Sequence, residues 1–271
     1  MNDVEVRYQM LRPAQVVERR KACPVAYIPI GTLEWHGVHN PLGADTLQAE
    51  GLALMCAREG GGLVFPPLYY GESRSEALME VVAADRDRIA DLMGLPADNF
   101  LPDRQPFSAT QQTHQYSRLL MHILAEVETL GFELGVLVAG HYPLIDHARS
   151  AVLLHNQRRR QIKPGMLAWA MADYLLVREQ YADSGDHAGL WETSHCMALH
   201  PQTVDLSLLG PTGERTVGVG GKDPRQSTAA FGQETLQRAC EAALHEVNHR
   251  LANRDTYRHH GQCLQEGLWK K

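Results

Sequence analysis

Cys23-Pro24-Val25-Ala26-Tyr27-Ile28-Pro29-Ile30-Gly31 runs directly into Thr32-Leu33-Glu34-Trp35-His36-Gly37-Val38-His39-Asn40-Pro41-Leu42-Gly43-Ala44-Asp45. The first part is a short apolar run closed by Gly, the pattern of a buried strand. The second is a polar loop rich in Gly and Pro. Asp45 and Thr46 are candidate caps for a helix reaching about Arg58, with Leu47, Leu54 and Met55 near one face. Working outward, strands and helices alternate. Upstream, Pro13 suits the first turn of a short helix ending near Arg20. Downstream, Gly60-Gly61-Gly62 stops the helix and residues 63–68 form a second strand. Apolar residues at 119, 120, 123, 124, 127 and 130 predict a helix from Thr113 to Leu130. A strand over 133–140, a helix over 144–159, a strand over 166–171 and helices over 190–199 and 231–252 complete the reading. This alternation predicts an α/β fold: a single domain over 1–271, a three-layer α/β/α arrangement with a mainly parallel sheet and helices on both faces. Ligands in such folds collect beyond the carboxyl ends of the strands. Residues 73–112 interrupt the pattern with Pro96, Pro102 and Pro106. They read as an irregular excursion holding short helices, a lid or an interface arm.

The 271 residues suffice to bury a substantial core. Hydrophobic content of 44% and charged content of 21% are those of an ordinary globular protein, not of a disordered one. Net charge is −6 and the Lys and Arg residues line no predicted face, which argues against a nucleic-acid partner. Arg158-Arg159-Arg160 ends a predicted helix, where it complements the helix dipole. Five cysteines, at 23, 56, 196, 240 and 263, include no CxxC pair. Reduced, mostly buried thiols fit them better than disulfides or a cysteine-based zinc site. Residues 1–9 carry no apolar signal core, and no apolar run approaches the roughly 20 residues that cross a bilayer. The expectation is a cytoplasmic protein with no membrane partner.

Three clusters carry chemistry. Glu34 and His36 are two apart, so an extended backbone points them the same way, and the loop after them can fold Asp45 back alongside. Carboxylate oxygen and imidazole nitrogen suit Zn2+, Mn2+ or Fe2+. The competing reading is a polar loop with surface charges. The second cluster is Gly140-His141-Tyr142, at the end of a buried strand, where a lone His is more often structural than a ligand. The third is Gly185-Asp186-His187-Ala188-Gly189-Leu190-Trp191-Glu192-Thr193-Ser194. Glu192 is either a ligand or a carboxylate favoured by the helix start. No Gly-x-Ser-x-Gly elbow occurs. Cys196 follows His195 on a helix with diverging side chains. The glycines from 213 to 221 match neither a Walker motif nor a dinucleotide fingerprint and read as a flexible loop.

Taken together, the clusters resemble the creatininase family. Its pattern Gly-x-x-Glu-x-His-Gly-x-His-x-Pro-x-Gly-x-Asp is met by Gly31, Glu34, His36, Gly37, His39, Pro41, Gly43 and Asp45. The family's Gly-His pair is met by Gly140-His141, and its His-Ala-Gly-x-x-Glu-Thr-Ser segment by His187 to Ser194. Tyr70-Gly71-Glu72-Ser73 is similar to its Tyr-Gly-x-Ser turn. The resemblance implies a creatininase-like fold and a hydrolase of a non-peptide C–N bond, in a cyclic amide or formamide, acting through metal-activated water. Glu34, His36, Asp45 and His141 would be metal ligands, with Asp45 bridging two ions and Glu192 a further ligand. One or two ions of Zn2+, Mn2+ or Fe2+ are implied. His187 would be the catalytic residue, contacting substrate or moving a proton, positioned by Asp186 and the flanking glycines; Tyr142 and Ser73 would bind substrate. A small-molecule substrate and a homo-oligomer, such as a hexamer, are also implied. Alternative readings are a peptidase for a small modified peptide and a metal-binding oligomer without catalysis.

The resemblance breaks at three places. Family members often continue Gly-His-Gly-Gly-Asn or Gly-His-Tyr-Glu-Asn, and the family's namesake uses that Glu as a metal ligand. Pro143 stands there instead, leaving one metal position weakened, filled by Glu192, or empty. The namesake also has a Trp four residues before its equivalent of His187, packed on the flat substrate. Asp183 replaces it here, which argues against creatinine. Pro106-Phe107-Ser108-Ala109-Thr110 is only an approximate stand-in for the family's Phe-Pro-Gly-Thr.

Overall fold

The opening apolar run forms β1 (Val25–Ile30), buried at every position. A computed structural model describes residues 4–71, 83–104, 106–158 and 165–257. In chain order its elements are α1 (Pro13–Ala22), β1, α2 (Ala44–Gly60), β2 (Leu63–Val64), α3 (Arg86–Leu92), α4 (Ala109–Thr129), β3 (Leu134–Ala139), α5 (Leu144–Arg158), β4 (Leu167–Met171), α6 (Asp173–Val177), α7 (Leu190–Leu199), α8 (Ala229–Ala252) and α9 (Arg254–Tyr257). The four strands are parallel in the order β2-β1-β3-β4. A parallel sheet covered on both faces needs near-continuous apolar strands, and these strands supply them.

Alternate residues of β1 face opposite layers. Val25 and Tyr27 join Leu52 of α2, Trp191 of α7 and Leu236 of α8 in one core. Ala26, Ile28 and Ile30 join Val16 of α1, Leu120 and Leu124 of α4, and Ala148 of α5 in the other. The three-layer expectation holds. The sheet order also fixes where a ligand belongs. From β1 the chain crosses to β2 on one side, whereas β3 lies on the other, so the loops leaving β1 and β3 diverge and open a crevice at their carboxyl ends.

Several local readings need correction. The second strand pairs continuously only over two residues, because Pro66 and Pro67 have no N–H to give. Pairing resumes at Leu68, whose N–H donates to Pro29 and whose carbonyl accepts from Gly31. Asp45 does not cap α2: Gly43 occupies the cap without a side-chain bond, and Asp45 turns inward. α4 starts at Ala109, four residues before Thr113, because Ser108 and Gln111 form a reciprocal capping box. The excursion does contain short helices: α3 and 3-10 turns at Ala97–Phe100 and Pro102–Arg104. It builds a small core of its own in which Ile89, Ala90 and Phe100 pack on Trp35. α6 was not anticipated. No helix among the described residues is long and apolar enough to cross a membrane.

Candidate metal centre

Two glycines let the layers close on the crevice. Gly31 ends β1 and Gly140 ends β3, and a Cβ on either would collide with the first turn of α2, at Thr46 and at the Asp45 carbonyl respectively. With hydrogen in place of a side chain, the start of α2 lies directly on the strand ends. Asp45 therefore reaches both the β1 loop, which carries Glu34 and His36, and His141, which follows Gly140. The Glu34 N–H donates to the Leu42 carbonyl at 3.1 Å, folding that loop back. Glu192 comes from the first turn of α7. Asp186 fixes that turn by accepting from the N–H groups of Gly189, Trp191 and Glu192 at 3.2, 2.7 and 3.1 Å. Asp186 is thus a helix cap, with its bonds on α7 and not on the His187 ring.

The five expected ligands meet, and none is more than 2% exposed. Asp45 divides its carboxylate: Oδ1 lies 2.9 Å from His36 Nε2, and Oδ2 lies 3.1 Å from His141 Nδ1. Glu34 Oε1 is 3.0 Å from His141 Nδ1, and Glu192 Oε2 is 3.4 Å from His36 Nε2. Two donor sets result, Glu34/Asp45/His141 and His36/Asp45/Glu192, each with its ligand atoms within 4.8 Å of one another. A third set of that kind joins Glu34, His36 and His187. His187 donates from Nε2 to the Trp35 carbonyl at 2.8 Å and brings Nδ1 to 3.4 Å from Glu34 Oε1. A carbonyl can only accept, so the ring proton sits on Nε2 and the Nδ1 face looks into the cluster. Tyr142 donates its hydroxyl to Asp173 at 3.4 Å and packs on the Tyr174 ring. Ser73 lies outside the described residues.

The electrostatics suit a cation. Burial pushes Glu192 up to about 7 and, helped by the charge of Asp45, also raises Glu34. Asp45 goes the other way: burial opposes ionisation, but His36 and His141 hold its carboxyl well below the usual range. His36 is raised in turn: burial opposes its charged form, but the combined pull of Asp45 and Glu192 outweighs it. Burial and then the charge of His36 lower His187. Glu34 Oε1 and Asp45 Oδ2 are buried without a well-aligned hydrogen-bond donor. Both crowd His141 Nδ1, which can give one proton at most. Buried carboxylates left in that condition are costly, and divalent cations relieve them. The donors are oxygen and nitrogen only, the set for Zn2+ or Mn2+ and not for softer ions. The residues present fit the metal that the sequence implies.

Other supporting residues had no role assigned from the sequence. His39 donates to the Ala188 carbonyl at 3.1 Å, and Asn40 donates to Thr193 at 2.8 Å. They brace Ala188, the one non-glycine with positive φ among the described residues, whose N–H donates to Glu192 Oε2 at 2.8 Å. Gln48 and His195 lie one turn beyond Asp45 and Glu192, and that i, i+3 spacing was the available signal. Cys196 is 1% exposed and burial raises its thiol well above the usual range, so it is no nucleophile.

The creatininase family model, described as creatinine amidohydrolase, matches residues 9–247. The chain belongs to the creatininase family. Creatininases are metal-dependent amidohydrolases. Solved creatininases share its fold: a mutant of the Zn-Zn type has 19% identity and a TM-score of 0.66, with 91% of this chain and 98% of that chain covered. A creatininase described with Mn has 19% identity and a TM-score of 0.66, covering 91% and 99%. A curated relative, 3-dehydro-scyllo-inosose hydrolase of Thermotoga maritima, is 36% identical over 66 residues. That match spans 24% of this chain and only 21% of the relative's length. Against the creatininase pattern, Pro143 introduces α5 and offers no donor, and neither Asp45-centred donor set includes it. Asp183, at the position of the namesake's Trp, is 72% exposed and pairs with Lys222 at 2.8 Å.

Proposed function

We propose that this member of the creatininase family cleaves a non-peptide C–N bond, in a small cyclic amide or formamide, with two divalent cations of Zn2+, Mn2+ or Fe2+. Glu34, Asp45 and His141 would hold one, and His36, Asp45 and Glu192 the other. The observation that carries the reading is the Asp45 carboxylate, one oxygen of which faces each histidine. Bound cations of this kind supply a water of lowered pKa and polarise a carbonyl oxygen. His187 moves the proton. Its Nε2–H is occupied by Trp35, so Nδ1, unprotonated at rest, is the atom that would take a proton from the attacking water and then pass it to the leaving nitrogen. The burial that lowers its proton affinity favours giving that proton up. Glu192 takes the role that Pro143 vacates.

The test is His36→Ala with metal content measured by elemental analysis. Content should fall from about two ions per chain to about one, with hydrolysis lost. Unchanged content would overturn the assignment. A second reading draws on the curated relative: the exposed Asp183–Lys222 pair favours a polar substrate over a flat heterocycle, and 3-dehydro-scyllo-inosose belongs beside the amides in the substrate panel. Turnover of that compound and of no amide would select it. Tight metal binding with no turnover at all would select the non-catalytic reading that Pro143 motivates.

A further inference from the structure

The excursion at 83–100 contributes no residue to the cluster, yet its contacts converge on one that faces it. Asp85, with its side chain 10% exposed, accepts from both terminal nitrogens of Arg215 at 2.9 and 2.7 Å and from the Gly218 N–H at 2.9 Å. Gly218 is in turn packed on the Trp35 ring, at a positive φ that leaves no room for a side chain. The Trp35 indole donates to the Val217 carbonyl at 2.9 Å, and its ring is buried against Ile89, Ala90 and Phe100. Two residues beyond Gly218, Gly220 exchanges both main-chain hydrogen bonds with His187, at 2.9 and 2.8 Å. The Trp35 carbonyl then takes the His187 Nε2–H. Backbone and ring of His187 are therefore held by two segments, 215–220 and Trp35, and both are clasped by the excursion.

We propose that the 83–100 excursion is a positioning module for His187, with Asp85 as its positioning residue, acting through the 215–220 segment and Trp35. Asp85 does not touch the reacting atoms. It fixes which nitrogen of the imidazole faces the cluster and limits how far the ring swings. Arg215 is 67% exposed, so its ion pair alone adds little stability. The clasp matters for geometry: three donors converge on one carboxylate that is nearly sealed from water, and this sets the path of 215–220. The proposal rests on the reading of His187 as the proton carrier only for its effect on turnover.

Its test needs no substrate. Metal-loaded wild type, Asp85→Ala and Asp85→Asn are treated with diethylpyrocarbonate, which acylates unprotonated imidazole nitrogen. Modification of His187 and of the exposed His245 is then followed by peptide mass spectrometry. His187 should react several-fold faster in Asp85→Ala and to an intermediate degree in Asp85→Asn, with His245 and metal content unchanged. A variant confined to a structural role would lower the melting temperature and leave the His187 rate alone, and that result overturns the proposal. So does a faster His187 that comes with loss of metal. If Asp85→Ala fails to fold, Arg215→Ala, on an exposed side chain, asks the same question with the same outcomes. If His187 is released as expected while the wild type hydrolyses nothing in the panel, the positioning role stands and the proposed hydrolysis falls. On any substrate the wild type does turn over, the variants should lose kcat with KM little changed.

Discussion

Asp45 serves two histidines at once, which sets it apart from the other carboxylates of the cluster. Asp45→Asn should abolish binding of both cations, whereas Glu192→Gln should spare the one held by Glu34, Asp45 and His141. Titration of metal-free protein followed by calorimetry distinguishes them: no tight site in the first variant and about one in the second. Equal stoichiometry in the two variants would contradict the shared role of Asp45. At this scale the first cluster was legible because Glu34, His36 and Asp45 fall in one stretch at a strand end. His141 was not legible by itself. What gives it meaning is Gly140, whose missing side chain makes room for the start of α2, and that is a fact of packing between segments far apart in sequence. In the sequence, Asp186 reads as positioning His187, and Glu192 as either a ligand or a carboxylate of the helix start. The fold separates them, with Asp186 satisfied by three N–H groups of α7 and Glu192 turned toward His36.

Three helices carry, beside the cluster, a second polar network that no motif announced. His195 of α7 brings Nε2 to 2.9 Å from the Thr235 hydroxyl of α8, and its Nδ1 lies 3.1 Å from the Gln48 carbonyl oxygen of α2 and 3.4 Å from the Asp173 carboxylate. Burial holds the fully buried His195 near 4, below its ordinary value of 6.5. The unfolded chain therefore binds a proton between those two values that the folded chain refuses. Stability from this group is complete above about 6.5 and is lost as pH falls toward 4, on the order of 3 kcal/mol in all. Glu192, raised to about 7 without a cation, has the opposite sign in an overlapping window. The measurement is therefore a difference: urea unfolding of metal-free wild type and His195→Asn at pH 7 and pH 5, with the wild type losing more stability between the two. Equal losses would refute the linkage. Elements long enough to show a period were legible from sequence, as with β1, β3, α2 and α8. α6 is five residues long and shows none, and the start of α4 was hidden because its signal is a cap formed by Ser108 and Gln111 rather than an apolar repeat.

For the molecule as a whole, the sheet order brings donors from three separated parts of the chain to one rim, so the cations tie those parts together. Chelation should lower the melting temperature by several degrees, on the order of 5–10 °C for ions held well above their dissociation constants. Added Zn2+ or Mn2+ should restore it. A melting curve indifferent to chelator would mean that the buried carboxylates stand without a cation. The layered architecture was legible because alternating strands and helices have few ways to bury their apolar faces. The destination of the excursion was not, since its contacts with Trp35 and Arg215 span more than fifty residues in one direction and a hundred in the other. The donors of the cluster are anchored where strands end and helices begin, but Asp183 and Lys222 ride on connections and are bound chiefly to each other. Those same connections also carry His187 and its main-chain partner Gly220. Point changes at Asp183 or Lys222 can therefore redraw the surface and leave the rim intact, whereas wholesale exchange of either connection would cost the imidazole its mounting.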